Sequence, residues 1–311
     1  MATDVIVLNN LGGGQSCQVD RLPLPGDTVK GYHWKNSVDA GKGPNSCIAM
    51  SRLGIRTAFI GKAGKDAAGD RGERWMQEAG VDTSGLLRSD EVMTGQGIRI
   101  VEKSGNNLII CGESSSRFLR ADEVEREIRR LQPATFFCTG FEIRPELVLK
   151  GLDTAKACGM TTVLNLSPIP SEPLPKLSDA DYIVINEMEA AAICSLRSWR
   201  DIPVRALAQK ALELLGCQCI VITLGAFGSA GMTQGGRFWK VAPVKVNCVD
   251  TSGAGDGYLS AMVANLVWGK DIADACRWAG AYSSYTTTRQ GTLPSYPPLV
   301  EVESFIQGLG L

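Results

Sequence analysis

Residues 250–269 read Asp250-Thr251-Ser252-Gly253-Ala254-Gly255-Asp256-Gly257, followed by YLSAMVANLVWG. Leu259, Met262, Val263, Leu266 and Val267 fall at i, i+3, i+4, i+7 and i+8. The spacing predicts a helix with one buried face that starts at about Gly255. The small residues ahead of it leave the backbone N–H groups of the first turn uncovered. Those donors and the positive end of the helix dipole form a site for an anion, such as a phosphoryl group in transit. Asp256 stands beside that site as a carboxylate, kept ionised by the helix end and able to take a proton from a hydroxyl. The same residues would also serve a plain helix cap behind a flexible loop. Spacing alone does not separate the two.

Outward from this stretch, short apolar runs alternate with amphipathic segments, the pattern of βαβ units and a mostly parallel sheet. Strands are expected at 4–8, 57–61, 135–139, 161–166, 182–185 and 219–224. Helices are expected at 45–53, 69–79, 121–131, 145–158 and 204–215. TAFIG, TVLNL and IVITL are apolar on both faces, as central parallel strands covered by helices should be. Residues 15–38 and 95–114 break this rhythm. They alternate in character, contain a turn-like Ser104-Gly105-Asn106-Asn107, and predict antiparallel strands outside the parallel sheet. They either pair into a small sheet beside the main domain or remain two surface hairpins. No repeat, low-complexity tract or linker divides the chain, so one α/β domain over residues 1–311 is expected.

Composition removes several classes of function. Apolar residues make up 44% of the chain and charged ones 21%, an ordinary globular balance. With 32 basic against 33 acidic side chains, no overall field favours nucleic acid or an anionic membrane. MATDVIVLNN lacks the pattern of a signal peptide, and no run of about 18 apolar residues occurs, so a cytoplasmic protein is expected. Ten cysteines without a CxxC pair, beside one histidine, His33, predict free buried thiols rather than a zinc site. The GxxxxGK[ST] phosphate loop is absent at both Gly41-Lys42 and Gly61-Lys62. Gly12-Gly13-Gly14 follow the first strand, but no GxGxxG continues, which argues against a nicotinamide-dependent dehydrogenase.

DTSGAGDGYLSA resembles the C-terminal signature of the ribokinase-like (PfkB) carbohydrate kinases, in which the last Asp of the Gly-rich run is the base. AGKGPNSCIAMSRLG (40–54) is similar to the family's Gly-Gly-Lys-Gly-x-Asn segment, and GKAGKDAAG (61–69) to its Gly-x-Asp-x-x-Gly turn. INEMEA (185–190) resembles its Asn-x-x-Glu motif, VITLGAFGSA (221–230) its nucleotide-side strand and turn, and TRQGTLPS (288–295) its C-terminal turn. The matches occur in family order across about residues 4–300.

The resemblance implies a ribokinase-like fold, with a central mostly parallel sheet flanked by helices and a small β-sheet lid from about 15–38 and 95–114. It implies an ATP-dependent kinase that phosphorylates a primary hydroxyl of a sugar-like small molecule. Asp256 would be the general base, and the amides of Gly253, Ala254 and Gly255 the anion hole. Gly41, Lys42, Gly43 and Asn45 would line the sugar pocket with Glu142. Asn186 and Glu189 would organise water around Mg²⁺ and the phosphates, while Thr223, Gly225 and Gly228 border the nucleotide. Asp250, Ser252, Thr286, Arg289, Gly291 and Ser295 match positions at which many members hold a monovalent cation such as K⁺. Family lids exclude water and often pair two copies, so a homodimer through the lid is expected.

One departure bears on the substrate. The family's Asn-x-Asp after the first strand is missing, with Gly12 and Gly14 at its two polar positions. A carboxylate grip on a vicinal diol would be lost, at a cost of a few kcal/mol for a diol acceptor. Asp39, just ahead of Ala40-Gly41, or Asp20 is left to replace it. A differently hydroxylated or charged sugar derivative, or a nucleoside, suits that loss better than ribose. A nucleoside kinase and a non-catalytic sugar-binding protein on the same fold are the alternatives.

Overall fold

The structure, a computed structural model, describes residues 3–103, 107–112 and 114–310. β1 (Val5–Leu8), β2 (Gly12–Val19) and β3 (Gly31–Asn36) precede α1 (Lys42–Arg52), β4 (Thr57–Gly64), α2 (Ala67–Glu78) and β5 (Asp82–Ser89). β6 (Gly95–Glu102) and β7 (Asn107–Cys111) follow, then α3 (Ala121–Arg130), β8 (Phe136–Gly140), α4 (Pro145–Ala157) and β9 (Thr161–Asn165). Next come β10 (Tyr182–Asn186), α5 (Glu187–Ile193), α6 (Val204–Leu215), β11 (Cys219–Thr223), β12 (Ser229–Thr233) and β13 (Phe238–Val241). The chain closes with α7 (Ala254–Val267), α8 (Ile272–Thr286) and α9 (Leu299–Gly308).

Nine strands form one sheet in the order β13-β12-β11-β10-β9-β8-β1-β4-β5, antiparallel only at β12 and β13. The alternation of β1 shows how it is held: Val5 and Val7 enter one core, Ile6 and Leu8 the other. α1, α2, α7, α8 and α9 cover the first face, and α3, α4, α5 and α6 the second. All the strands and helices expected from the sequence are present, with ends moved by three residues or fewer. α7 departs from the expected one-sided helix, since Asp256 through Asn265 are all buried. Its small residues let α1 and α8 pack against it from different sides.

A second sheet of order β3-β2-β6-β7 stands beside the first. The hairpins β2–β3 and β6–β7 are antiparallel, but β2 pairs β6 in parallel, which corrects the expectation of antiparallel strands throughout. The reason is topological: β2 follows β1 and β6 follows β5, two strands that run the same way in the central sheet. The sheet starts at Gly12, earlier than expected. Of the expected turn, Ser104, Gly105 and Asn106 lie outside the described residues.

The expectation of buried thiols holds at seven of the nine cysteines the structure describes as free. Cys248 is exposed, on the loop ahead of Asp250, and Cys158 is half-buried at the end of α4. The side chain of Cys111 lies outside the described residues. Among the described residues, no helix is long and apolar enough to cross a membrane.

Candidate active site

In an open parallel sheet, ligands bind beyond the carboxyl ends of the strands. Glu142 lies there two residues past β8, Asn186 ends β10, and Thr223 ends β11 as the register partner of Asn186. α7 starts at the same edge behind Gly253, whose φ of +75° is left-handed. A Cβ on Gly253 would lie 2.5 Å from Thr292 Cγ2 and 2.7 Å from Tyr296 Oη, so only glycine fits. Tyr296 Oη donates to Gly253 O at 3.1 Å and fixes that turn. No side chain caps α7. The Ala254 amide donates to Thr251 O at 3.2 Å, so this one of the three expected amides is engaged within the turn. No hydrogen bond among the described residues engages the amides of Gly253 and Gly255.

Asp256, 5% exposed, lies in the first turn of α7. Asn45 Nδ2 donates to its Oδ2 at 3.1 Å, and Lys42 Nζ stands 3.8 Å from its Oδ1. Both partners come from α1, whose approach depends on Gly43: a Cβ there would sit 2.6 Å from Asn9 Cβ. Burial pushes the Asp256 carboxyl above its ordinary pKa, Lys42 and Asn45 pull it down, and Asp39 pushes it up. Desolvation wins, and the ion pair with Lys42 opposes it. The Lys42 pKa is raised, first by Asp256 and further by Glu142, Glu189 and Asp39, so one ammonium faces four carboxylates.

Asp39 Oδ1 accepts from the Gly41 amide at 2.9 Å and from Asn45 Nδ2 at 3.3 Å. Glu142 Oε2 accepts from the Lys42 amide at 3.0 Å. Burial pushes the Glu142 carboxyl up to about 7, against the pull of Lys42. A cavity of about 1130 Å³ opens beside this group, walled by the second sheet, Gly12–Gly14, Asp39, Gly41, Glu142, Asp250 and Gly253. Asp256 and Lys42 are not wall residues; their near neighbours Gly253 and Gly41 are. Asp20, the other candidate for the lost carboxylate, is 73% exposed and pairs with Lys103 at 2.6 Å, off the cavity wall. The geometry leaves Asp39 at the cavity.

On the nucleotide side expected from the sequence, Asn186 Oδ1 accepts from the amides of Met188 and Glu189, both at 2.9 Å. Glu189 Oε2 accepts from the Asn186 amide at 2.8 Å, a reciprocal capping box at the start of α5. Gly225 and Gly228 form the turn from β11 to β12. Asp250 ties two loops together: Oδ1 accepts from the Ser252 amide and Oδ2 from the Gly291 amide, each at 2.9 Å. Although burial raises it, these bonds hold the Asp250 carboxyl below its ordinary value. The hydroxyls of Thr286 and Ser295 donate to the carbonyls of Ser283 and Thr292, each at 2.7 Å. The Arg289 guanidinium pairs with Glu301 on α9, away from Asp250.

Sequence reasoning missed three polar groups here. Asn10 lines the cavity and accepts from Ser114 Oγ. Arg99 lines it and donates from Nη1 to Ser252 Oγ at 3.4 Å. Tyr296 holds the Gly253 turn from beyond the C-terminal motif. Only Asn10, two residues ahead of Gly12 in the Gly12-Gly13-Gly14 run, had a local signal.

Known proteins are similar to this chain over nearly its whole length. The pattern described as pfkB family carbohydrate kinase matches residues 16–298. A ribokinase of Staphylococcus aureus is 30% identical, covering 97% of this chain and 99% of its own. A deoxyribokinase of Salmonella typhi is 24% identical over 92% of this chain and 93% of its own. The structure of Arabidopsis thaliana ribokinase complexed with ribose and ATP superposes with a TM-score of 0.89 at 23% identity, covering 99% of each chain. The chain belongs to the pfkB family of carbohydrate kinases, phosphotransferases that act on an alcohol group.

Proposed function

We propose that this carbohydrate kinase moves the γ-phosphate of ATP to a primary hydroxyl of a sugar or sugar derivative, with Asp256 as the general base. The observation that carries this reading is the buried Asp256 carboxylate on the first turn of α7, next to two unengaged amides and 3.8 Å from Lys42. As the acceptor oxygen bonds to phosphorus, Asp256 takes its proton, and ADP leaves with the electron pair of the broken bond. The amides of Gly253 and Gly255 supply fixed dipoles toward the moving charge, with Ala254 already engaged. Lys42 keeps the buried base ionised until the acceptor is in place.

Asp39, Gly41, Asn45 and Glu142 would hold the acceptor, and Gly43 would act by letting α1 come close. Asn186, Thr223, Gly225 and Gly228 would border ATP. Mg²⁺ would offset phosphate charge. Among the described residues no three acidic, His or Cys side chains could ligate a metal together, so Glu189 fits a water-mediated role. The carbonyl and hydroxyl oxygens of Ser252, Thr286, Arg289, Gly291 and Ser295 are the donor type that K⁺ takes, and Ser252 and Gly291 are tied to Asp250. In this reading residues 1–311 are one kinase domain, and the second sheet is its lid, keeping water from the phosphoryl group. The lid's outer strands expose Trp34 (57%) and Ile110 (54%), which supports pairing of two copies through it.

The test is ADP release against sugars, sugar acids and nucleosides, with wild type and Asp256→Asn. Turnover should fall about 10²–10⁴-fold in the variant. An acceptor phosphorylated equally fast by both would remove Asp256 from the role of base. The cavity volume of about 1130 Å³ also admits a nucleoside, and phosphorylation of adenosine, inosine or cytidine without any free sugar would favour that reading.

A further inference from the structure

The cavity-facing side of the second sheet carries a row of three side chains. Ser16 on β2 is the register partner of Lys35 on β3 and of Arg99 on β6, so all three project from the same face. All three line the cavity. The outer two strands of such a triplet lie about 10 Å apart, a gap that a lysine and an arginine span from both sides. Arg99 also fixes where the row points, because its Nη1 donates to Ser252 Oγ at the mouth of the Gly253–Asp256 turn.

Charge within the cavity is unevenly committed. Asp250 has both oxygens on backbone amides, and Asp39 accepts from Gly41 and Asn45. Glu142 accepts from the Lys42 amide. By contrast, among the described residues Lys35 makes no ion pair or hydrogen bond, and Arg99 makes no direct ion pair, its charge reaching only Asp250, whose oxygens are already taken by amides. Gly12 and Gly14, on the same face as Ser16, fill none of the space beside the row. Two cations converging on a hydroxyl across open space suit an oxyanion, bidentate at the guanidinium.

We propose that the acceptor is an anionic sugar derivative, a sugar carboxylate or a sugar phosphate, whose charged group is held by Arg99, Lys35 and Ser16. The proposal rests on the kinase reading above and adds the class of acceptor. Its test is kcat/KM for matched pairs with a free primary hydroxyl: glucose against gluconate, ribose against ribonate, and fructose against fructose 6-phosphate. Wild type should prefer the anionic partner at least tenfold. Arg99→Gln and Lys35→Met should each reduce that preference about tenfold, chiefly through KM. The acid pairs and the phosphate pair separate the two sources of the oxyanion. Equal or better use of the neutral partners overturns the proposal while leaving the kinase reading intact. So does a variant that slows both partners by one factor, which would place Arg99 on the transferred phosphate. ADP release from none of the six acceptors overturns the proposal, and the nucleosides of the wider panel then decide the kinase reading.

Discussion

The pocket around Asp256 and the inner face of the second sheet are built on opposite lines. In the pocket, carboxylates and amides are buried and matched within the chain: Asp256 with Asn45 and Lys42, Asp39 with Gly41 and Asn45. On the sheet, Lys35 and Arg99 are exposed, Lys35 without an ion pair among the described residues and Arg99 in electrostatic reach of Asp250 but in no direct ion pair. In the proposed reading the difference separates two tasks. A reacting carboxylate must stay charged where water is scarce, so its partners come from the protein. A recognising surface must leave its hydrogen-bonding capacity for the ligand.

That contrast can be broken at several points. The largest effect is expected at Asp256, where Asn should cut kcat about 10²–10⁴-fold at saturating acceptor. A loss below tenfold would erase the distinction between pocket and sheet. Lys42→Met comes next. Removing the cation that lowers the Asp256 pKa raises that pKa, so the acid limb of the kcat–pH profile should move to higher pH. An unmoved limb would show that Lys42 does not govern the base. Gly253→Ala should lower thermal stability by about 1–3 kcal/mol and reduce activity, because alanine must adopt a φ of +75° against Thr292 and Tyr296. An unchanged melting temperature would mean that the turn yields.

Glu142 gives a smaller, pH-dependent signal. Its folded pKa of about 7 lies above the ordinary 4.5, so its stabilising contribution is full below 4.5 and is lost as pH rises through 7. Wild type should therefore lose stability across that window relative to Glu142→Gln, by thermal melts at fixed ionic strength. Parallel curves would refute the buried-acid assignment. The smallest effect is expected at Asp20, where Asn should leave kcat/KM within about twofold, since the side chain pairs in solvent with Lys103. A tenfold loss would bring Asp20 back as an acceptor ligand.

Legibility follows the same division. The Asp256 turn is readable because its signal is local: small residues, one acid, then helical spacing over residues 250–267. β1 and β11 are readable because strands buried on both faces must be largely apolar. β5 was not expected, since DTSGLLRS holds only two large apolar residues at a sheet edge, and β12, SAGMT, is small and glycine-broken. The parallel joining of β2 to β6 brings together residues about eighty apart and is dictated by the strands that launch them. The Lys35–Ser16–Arg99 row is a product of that register, so it has no trace in the linear chain. Tyr296 was invisible for a similar reason, because its hydroxyl acts on a backbone carbonyl 43 residues away.

Two of the ties on the 250–253 loop, Asp250 to Gly291 and Tyr296 to Gly253, depend on the chain beyond α8, while the Asp250 amide is also held by Thr287 O at the end of α8. Every strand of both sheets precedes that point. A protease nick between Arg289 and Gly291 would thus leave the circular dichroism of the strands intact while loosening the Gly253 turn. Such a clipped enzyme would look folded, and would be slow.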